Sequence, residues 1–145
     1  MSDAPTAPRW IAYSFAVLCV VPHPHLGTAV PVGVIVHART AGFLGIQVLT
    51  DPQELAARAP GVDVELLARY LRDLRAIAEG DAEAGPVALA PPSERFHWLT
   101  APRSDVIQSG AVHSGLCHDP RDALERLYAS HVGPAVLPTL NGEMR

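Results

Sequence analysis

Residues 13–21, YSFAVLCVV, are almost wholly apolar, and no other stretch of the chain constrains its fold as strongly. A strand with one face in water alternates apolar and polar side chains, whereas a short continuous run of β-branched and aromatic residues suits a strand covered on both faces. The run is far too short to span a bilayer. Extended back to Ile11, the run follows Arg9 and faintly imitates a secretory signal, but it holds Tyr13 and Ser14, comes after Asp3 and lacks an immediate A-x-A site. It therefore reads as the central strand of a protein that is neither exported nor membrane-bound.

Two further strands follow at once. Val30 to His37 alternates Val30, Val32, Val34 and Val36 with Pro31, Gly33, Ile35 and His37, and Pro31 suits the first residues of a strand. Gly42 closes a short loop before a strand at Phe43 to Leu49, an order that favours an antiparallel hairpin. Asp51-Pro52-Gln53-Glu54 has the cap, first-position proline and trailing acid of a helix start, and this helix ends by Pro60. From Asp63 to Glu79, Leu66, Leu67, Tyr70, Leu71, Leu74, Ile77 and Ala78 recur at helical spacing, so an amphipathic helix is expected to lie on the sheet. Residues 79–94, EGDAEAGPVALAPPSE, read as a linker with a brief extended piece at Val87 to Leu89. Strands are expected at Phe96 to Thr100 and from Val106 onward, and a last helix opens at Asp119-Pro120 and stops near Gly133.

The expected fold class is thus α+β, a mainly antiparallel sheet of about five strands against two or three helices in the order βββααββα. A chain of 145 residues should form one domain and bury about two-thirds of its unfolded surface. Residues 1–8 read as a loose arm, 9–133 as the domain and 134–145 as a tail. Cys19 and Cys117 lie far apart with no paired spacing, and read as reduced thiols in a cytoplasmic protein. The net charge of −4 argues against a broad phosphate-backbone binder, so nucleic acid is not an expected partner.

Residues 96–119, FHWLTAPRSDVIQSGAVHSGLCHD, concentrate the polar chemistry. A metal could in principle take His113, Cys117 or His118 with His23 or His25, but the spacings form no paired half-sites and no metal or cofactor is expected. Cys117 beside His118 suggests a nucleophile and its base, yet neighbours on a strand point to opposite faces, which favours an inert buried thiol. Paired carboxylates are missing from the strands. Arg95, Arg103 and Ser104 could bind a carboxylate or phosphate beside a turn, with His97 or His113 as acid or base, or Arg103 could hold a carboxylate of this same chain, such as Asp105 or a helix acid, while Gln108 satisfies buried backbone.

The segments YSFAVLCVVPHP, VGVIVHA, FLG, ERFHWLTAPRSDVIQSGAVHSGLCHDP and LERLY resemble a bacterial family known as domain of unknown function three-zero-three-seven. The resemblance runs from about Tyr13 to about Tyr128, and Glu94 to Pro120 is its most specific part. The chain departs from the family pattern ahead of the second strand, where Thr28, Ala29, Val30 and Pro31 replace an acidic residue and an asparagine. The family carries no established activity. It implies proximity to HipA-like Ser/Thr kinases, and Arg95, His97, Arg103, Ser104, Gln108, His113 and Gly115 stand where its motif has them. The expectation is a non-catalytic accessory domain partnering such a kinase through the surface around Arg95 to His113. The alternative is a small enzyme or ligand-binding domain that recognises an anionic group.

Overall fold

The computed structural model describes residues 9–22, 27–102 and 106–133. The element order is β1 (Ile11–Val20), β2 (Val30–Ala38), β3 (Phe43–Val48), α1 (Pro52–Arg58), α2 (Val64–Ala78), α3 (Pro92–Leu99), β4 (Ile107–Ser109), β5 (His113–Cys117) and α4 (Pro120–His131). This is a single α+β arrangement around one antiparallel sheet. The strand order is β3-β2-β1-β4, and β5 also pairs with β1. The central place given to the apolar run is the one it occupies, because β1 pairs with β2 on one side and with β4 and β5 on the other. The expected arm and tail, residues 1–8 and 134–145, lie outside the described residues.

The sheet is sandwiched between helices, which is why its first strands carry so few polar side chains. One face of β1 supplies Ala16, Leu18 and Val20 to a core shared with Leu55 of α1, Leu67, Leu71 and Leu74 of α2, and Phe96 and Leu99 of α3. The other face packs Phe15 and Val17, with Val34 and Val36 of β2, against Leu124, Leu127 and Tyr128 of α4. Strand β2 does not alternate simply. The register shifts between Leu18 and Cys19, so that Leu18 pairs with Gly33 and Cys19 with Pro31, leaving Val32 as the extra residue of a β-bulge. Val32 and Ile35 consequently share the α2 side although they are three positions apart. The valines expected to line one face are divided between two.

Local capping chemistry fixes the helix starts. The Asp51 side chain accepts from the Gln53 N–H at 3.3 Å, with Pro52 in the first turn. Asp63 accepts from the Leu66 N–H at 3.2 Å and Asp119 from the Arg121 N–H at 3.1 Å. Each bond satisfies an amide that the first helical turn leaves without an intrahelical partner. The carboxylate of Glu54 pairs with Arg58 one turn on, at 3.4 Å.

Two local expectations are overturned. Phe96 to Thr100 is not a strand: residues Pro92–Leu99 form α3, opened by Pro92 and continued by the Arg95 N–H to Pro91 C=O bond at 3.0 Å. A strand would have put Phe96 and Trp98 on one side; the fold instead buries Phe96 and Leu99, spaced by three, and leaves His97 and Trp98 outside. The segment around Val87 to Leu89 is likewise not extended but a 3₁₀ turn over Pro86–Leu89 that buries Ala88. In both places burial against α2 outweighs the β preference of the local sequence.

Candidate functional site

Arg95 points inward. From α3 its Nη1 donates to the Ala90 carbonyl at 2.5 Å and its Nη2 to the Ala78 carbonyl at 3.4 Å, tying the C-terminal end of α2 to the loop that leads into α3. Arg95 is thereby a tether within its own chain. His97 is exposed on the outer side of the same helix. Arg103 and Ser104 lie outside the described residues, as do His23 and His25.

Gln108 and His113 sit on the other side of the sheet from α3. Gln108 in β4 pairs with Cys19, and His113 in β5 pairs with Phe15, whose ring centroid is 5.4 Å from the imidazole. His131 of α4 approaches the same ring at 5.8 Å. Four positions of β1 separate the two pairings, about 13 Å along an extended strand. The candidate residues are therefore divided: Arg95 is spent internally, His97 lies on the α3 side and His113 and Gln108 on the α4 side. The sheet itself stands between the two groups. No common concavity among the described residues collects them.

The adjacent thiol and imidazole are also directed apart. Cys117 is buried, and burial pushes its thiol above the ordinary value of 9.0. Burial does the same for Cys19, which is also a free thiol. His118 stacks on Trp10 with ring centroids 3.8 Å apart, and its Nδ1–H donates to the Arg9 carbonyl at 2.9 Å. Because a carbonyl only accepts, that bond places a proton on Nδ1. Among the described residues no group of three or more His, Cys, Asp or Glu side chains is arranged to hold a metal ion.

A histidine outside the expected set does find a partner. His37 Nε2 lies 3.4 Å from the Ser93 hydroxyl and its ring stacks on Phe96 at 5.2 Å. Burial, followed by the nearby Arg39 charge, lowers its pKa from the ordinary 6.5. The pairing of β2 with the start of α3 depended on α3 being a helix, so no spacing in the sequence announced it.

One concavity among the described residues is apolar. A groove of about 560 Å³ runs along the outer side of α2, lined by Val62, Leu66, Leu67, Tyr70 and Val106. Asp63, Arg69 and Asp73 add charge to its lining. Leu66 was expected to join the leucines facing the sheet; it is 56 % exposed, whereas its neighbour Leu67 is 4 % exposed. Val106, which opens the segment leading into β4, is 48 % exposed. Apolar lining with a few charges in a preformed cleft is the usual composition of a binding site.

A family model described as "Protein of unknown function (DUF3037)" matches residues 15–132. The chain belongs to this family. The match runs from the middle of β1 through α4 and takes in both helical layers. No curated protein and no solved structure matches this DUF3037 chain. Among its described residues no helix is long and apolar enough to cross a membrane.

Proposed function

We propose that this DUF3037 chain is a non-catalytic accessory domain that binds a partner protein, and that the groove along α2 is where the partner docks. The observation that carries this reading is the outward placement of Leu66 and Val106 in one apolar cleft. Holding a leucine and a valine about half exposed forgoes part of the burial free energy that each would contribute, roughly 25 cal/mol per Å² of apolar area. A partner side chain laid between them recovers it. The charged residues Asp63, Arg69 and Asp73 beside an apolar floor match the apolar-centre, polar-rim composition of protein interfaces.

The partner is a HipA-like Ser/Thr kinase of the kind that the family resemblance implies, and the domain acts in the cytoplasm. The anion-binding alternative is weakened because Nη1 and Nη2 of Arg95 donate to carbonyl oxygens of the same chain.

Tagged full-length chain, recovered from its native host with the attached proteins identified by mass spectrometry, tests the proposal. The kinase is expected at stoichiometric levels with the wild type and is expected to be lost with Leu66→Asp. That substitution falls on an exposed side chain and leaves the core intact. Recovery of the chain alone, or kinase binding indifferent to Leu66→Asp and Val106→Asp, overturns the proposal.

A further inference from the structure

We infer that the outer edge of β5 is a self-association surface, on which a second copy of this chain pairs antiparallel about a two-fold axis at Gly115. Among the described residues β5 pairs only with β1, so one side of the strand carries backbone groups without a strand partner. Which groups these are follows from β1. Gly110 donates to the Val17 carbonyl and Val21 donates to the Val106 carbonyl, both at 2.8 Å, so the odd-numbered backbone of β1 faces this edge. Phe15 and Tyr13 continue that alternation and pair with His113 and Gly115. The N–H and C=O of Ser114 and Leu116 are thereby directed outward.

Two outward residues spaced by two around a central glycine are self-complementary. With the axis at Gly115, Ser114 of one copy faces Leu116 of the other and the reverse, so all four outward groups of each strand find partners. The glycine pair falls on the axis at a close, non-hydrogen-bonded position, where the absence of side chains removes crowding. Its other face is already filled within each chain by the Tyr13 ring.

Charge and exposure agree with this pairing. Residues 110–118, GAVHSGLCH, contain no Lys, Arg, Asp or Glu in a chain of net charge −4, so like charges do not meet when the strand faces itself. Edge strands that avoid pairing ordinarily carry a lysine, a proline or an inward charge, and β5 carries none. Leu116 is 62 % exposed, and Val112 ahead of it is exposed too. Trp10 and Ala12 lie exposed at the same end of the sheet. The strand at the opposite edge, β3, differs: its side chains are all buried or half-buried, and α2 and α4 pack on its two faces.

Sedimentation of the full-length chain over a range of concentrations tests the inference. The wild type is expected to sediment as a dimer that dissociates on dilution. Ser114→Pro removes an outward N–H that no strand pairing among the described residues uses, and Leu116→Lys places a charge on the exposed side chain next to the axis. Each is expected to give only the single-chain mass, with circular dichroism and thermal midpoint of the dilute protein unchanged. Leu66→Asp, at the α2 groove, is expected to leave the dimer intact, which separates this inference from the docking proposal. A wild type that stays monomeric up to its highest soluble concentration, or a dimer that survives Leu116→Lys, overturns it. Should Ser114→Pro misfold, Leu116→Lys alone decides.

Discussion

The Tyr13 ring lies directly over Gly115, its cross-strand partner, so closely that a methyl group added at Gly115 would sit 2.6 Å from the phenol oxygen. The glycine exposes backbone at the edge of the sheet and the aromatic ring covers it, a pairing known to compensate for glycine in strands. Gly115→Ala is expected to displace the ring and to cost about 1 kcal/mol or more of stability. The cost should shrink when Tyr13 is first replaced by Leu. Urea unfolding of the two single variants and the double variant checks the coupling, and strictly additive effects would show that the contact does not matter.

Gly33 is confined differently, because what surrounds it cannot turn away as a ring does. A methyl group there would meet the Val48 side chain at 2.9 Å and the Gln47 carbonyl at 3.1 Å, inside the sandwich and next to the β-bulge. Gly33→Ala is expected to destabilise the fold by about 1–3 kcal/mol through overpacking. Thermal unfolding of this variant beside Gly110→Ala, whose nearest neighbour would be the Val17 carbonyl at an ordinary 3.4 Å, provides the comparison.

Arg95 stabilises the fold by joining two carbonyls that belong to different segments. Arg95→Met keeps most of the apolar stem but leaves the Ala78 and Ala90 oxygens without these donors. A loss of about 1–3 kcal/mol follows from stranding part-buried acceptors. An anion-binding role would instead leave stability nearly unchanged, so equilibrium unfolding separates a tether from a ligand contact.

Leu66 and Leu67 are neighbours in sequence and opposites in environment. Leu67→Ala is expected to cost about 2–5 kcal/mol as a core truncation. Leu66→Ser is expected to stay within about 0.5 kcal/mol, as exposed positions usually do. The ratio of the two effects, read from denaturant midpoints, measures how far the groove stands outside the core.

Stability should depend on pH in two windows. His37 has its pKa lowered in the fold by burial and by Arg39, so the unfolded chain binds the proton more readily. Its contribution is present above the ordinary value of 6.5 and is lost as pH falls through the lower folded value. The Cys19 and Cys117 thiols are raised by burial, so their contribution is intact below 9.0 and is lost as pH rises through the higher folded values. Unfolding free energy measured against pH should weaken at both ends, with His37→Gln flattening the acid side only.

The sequence by itself determined the parts of this protein whose causes are local. The apolar run in β1, the loop closed at Gly42, and the acid-proline starts at Asp51 and Asp119 specify strands and helix ends through burial demand and backbone capping within a few residues. Tertiary structure decided the rest. It made Pro92–Leu99 a helix because Phe96 and Leu99 had a core beneath α3 to enter, and it set Val32 and Ile35 on one face through a bulge that only the pairing with β1 requires. It also sent His97 and His113 to opposite sides of the sheet, since a side chain's face depends on register and on which helix crosses there. Those are long-range choices, made between segments far apart along the chain, and no short stretch of residues carries them.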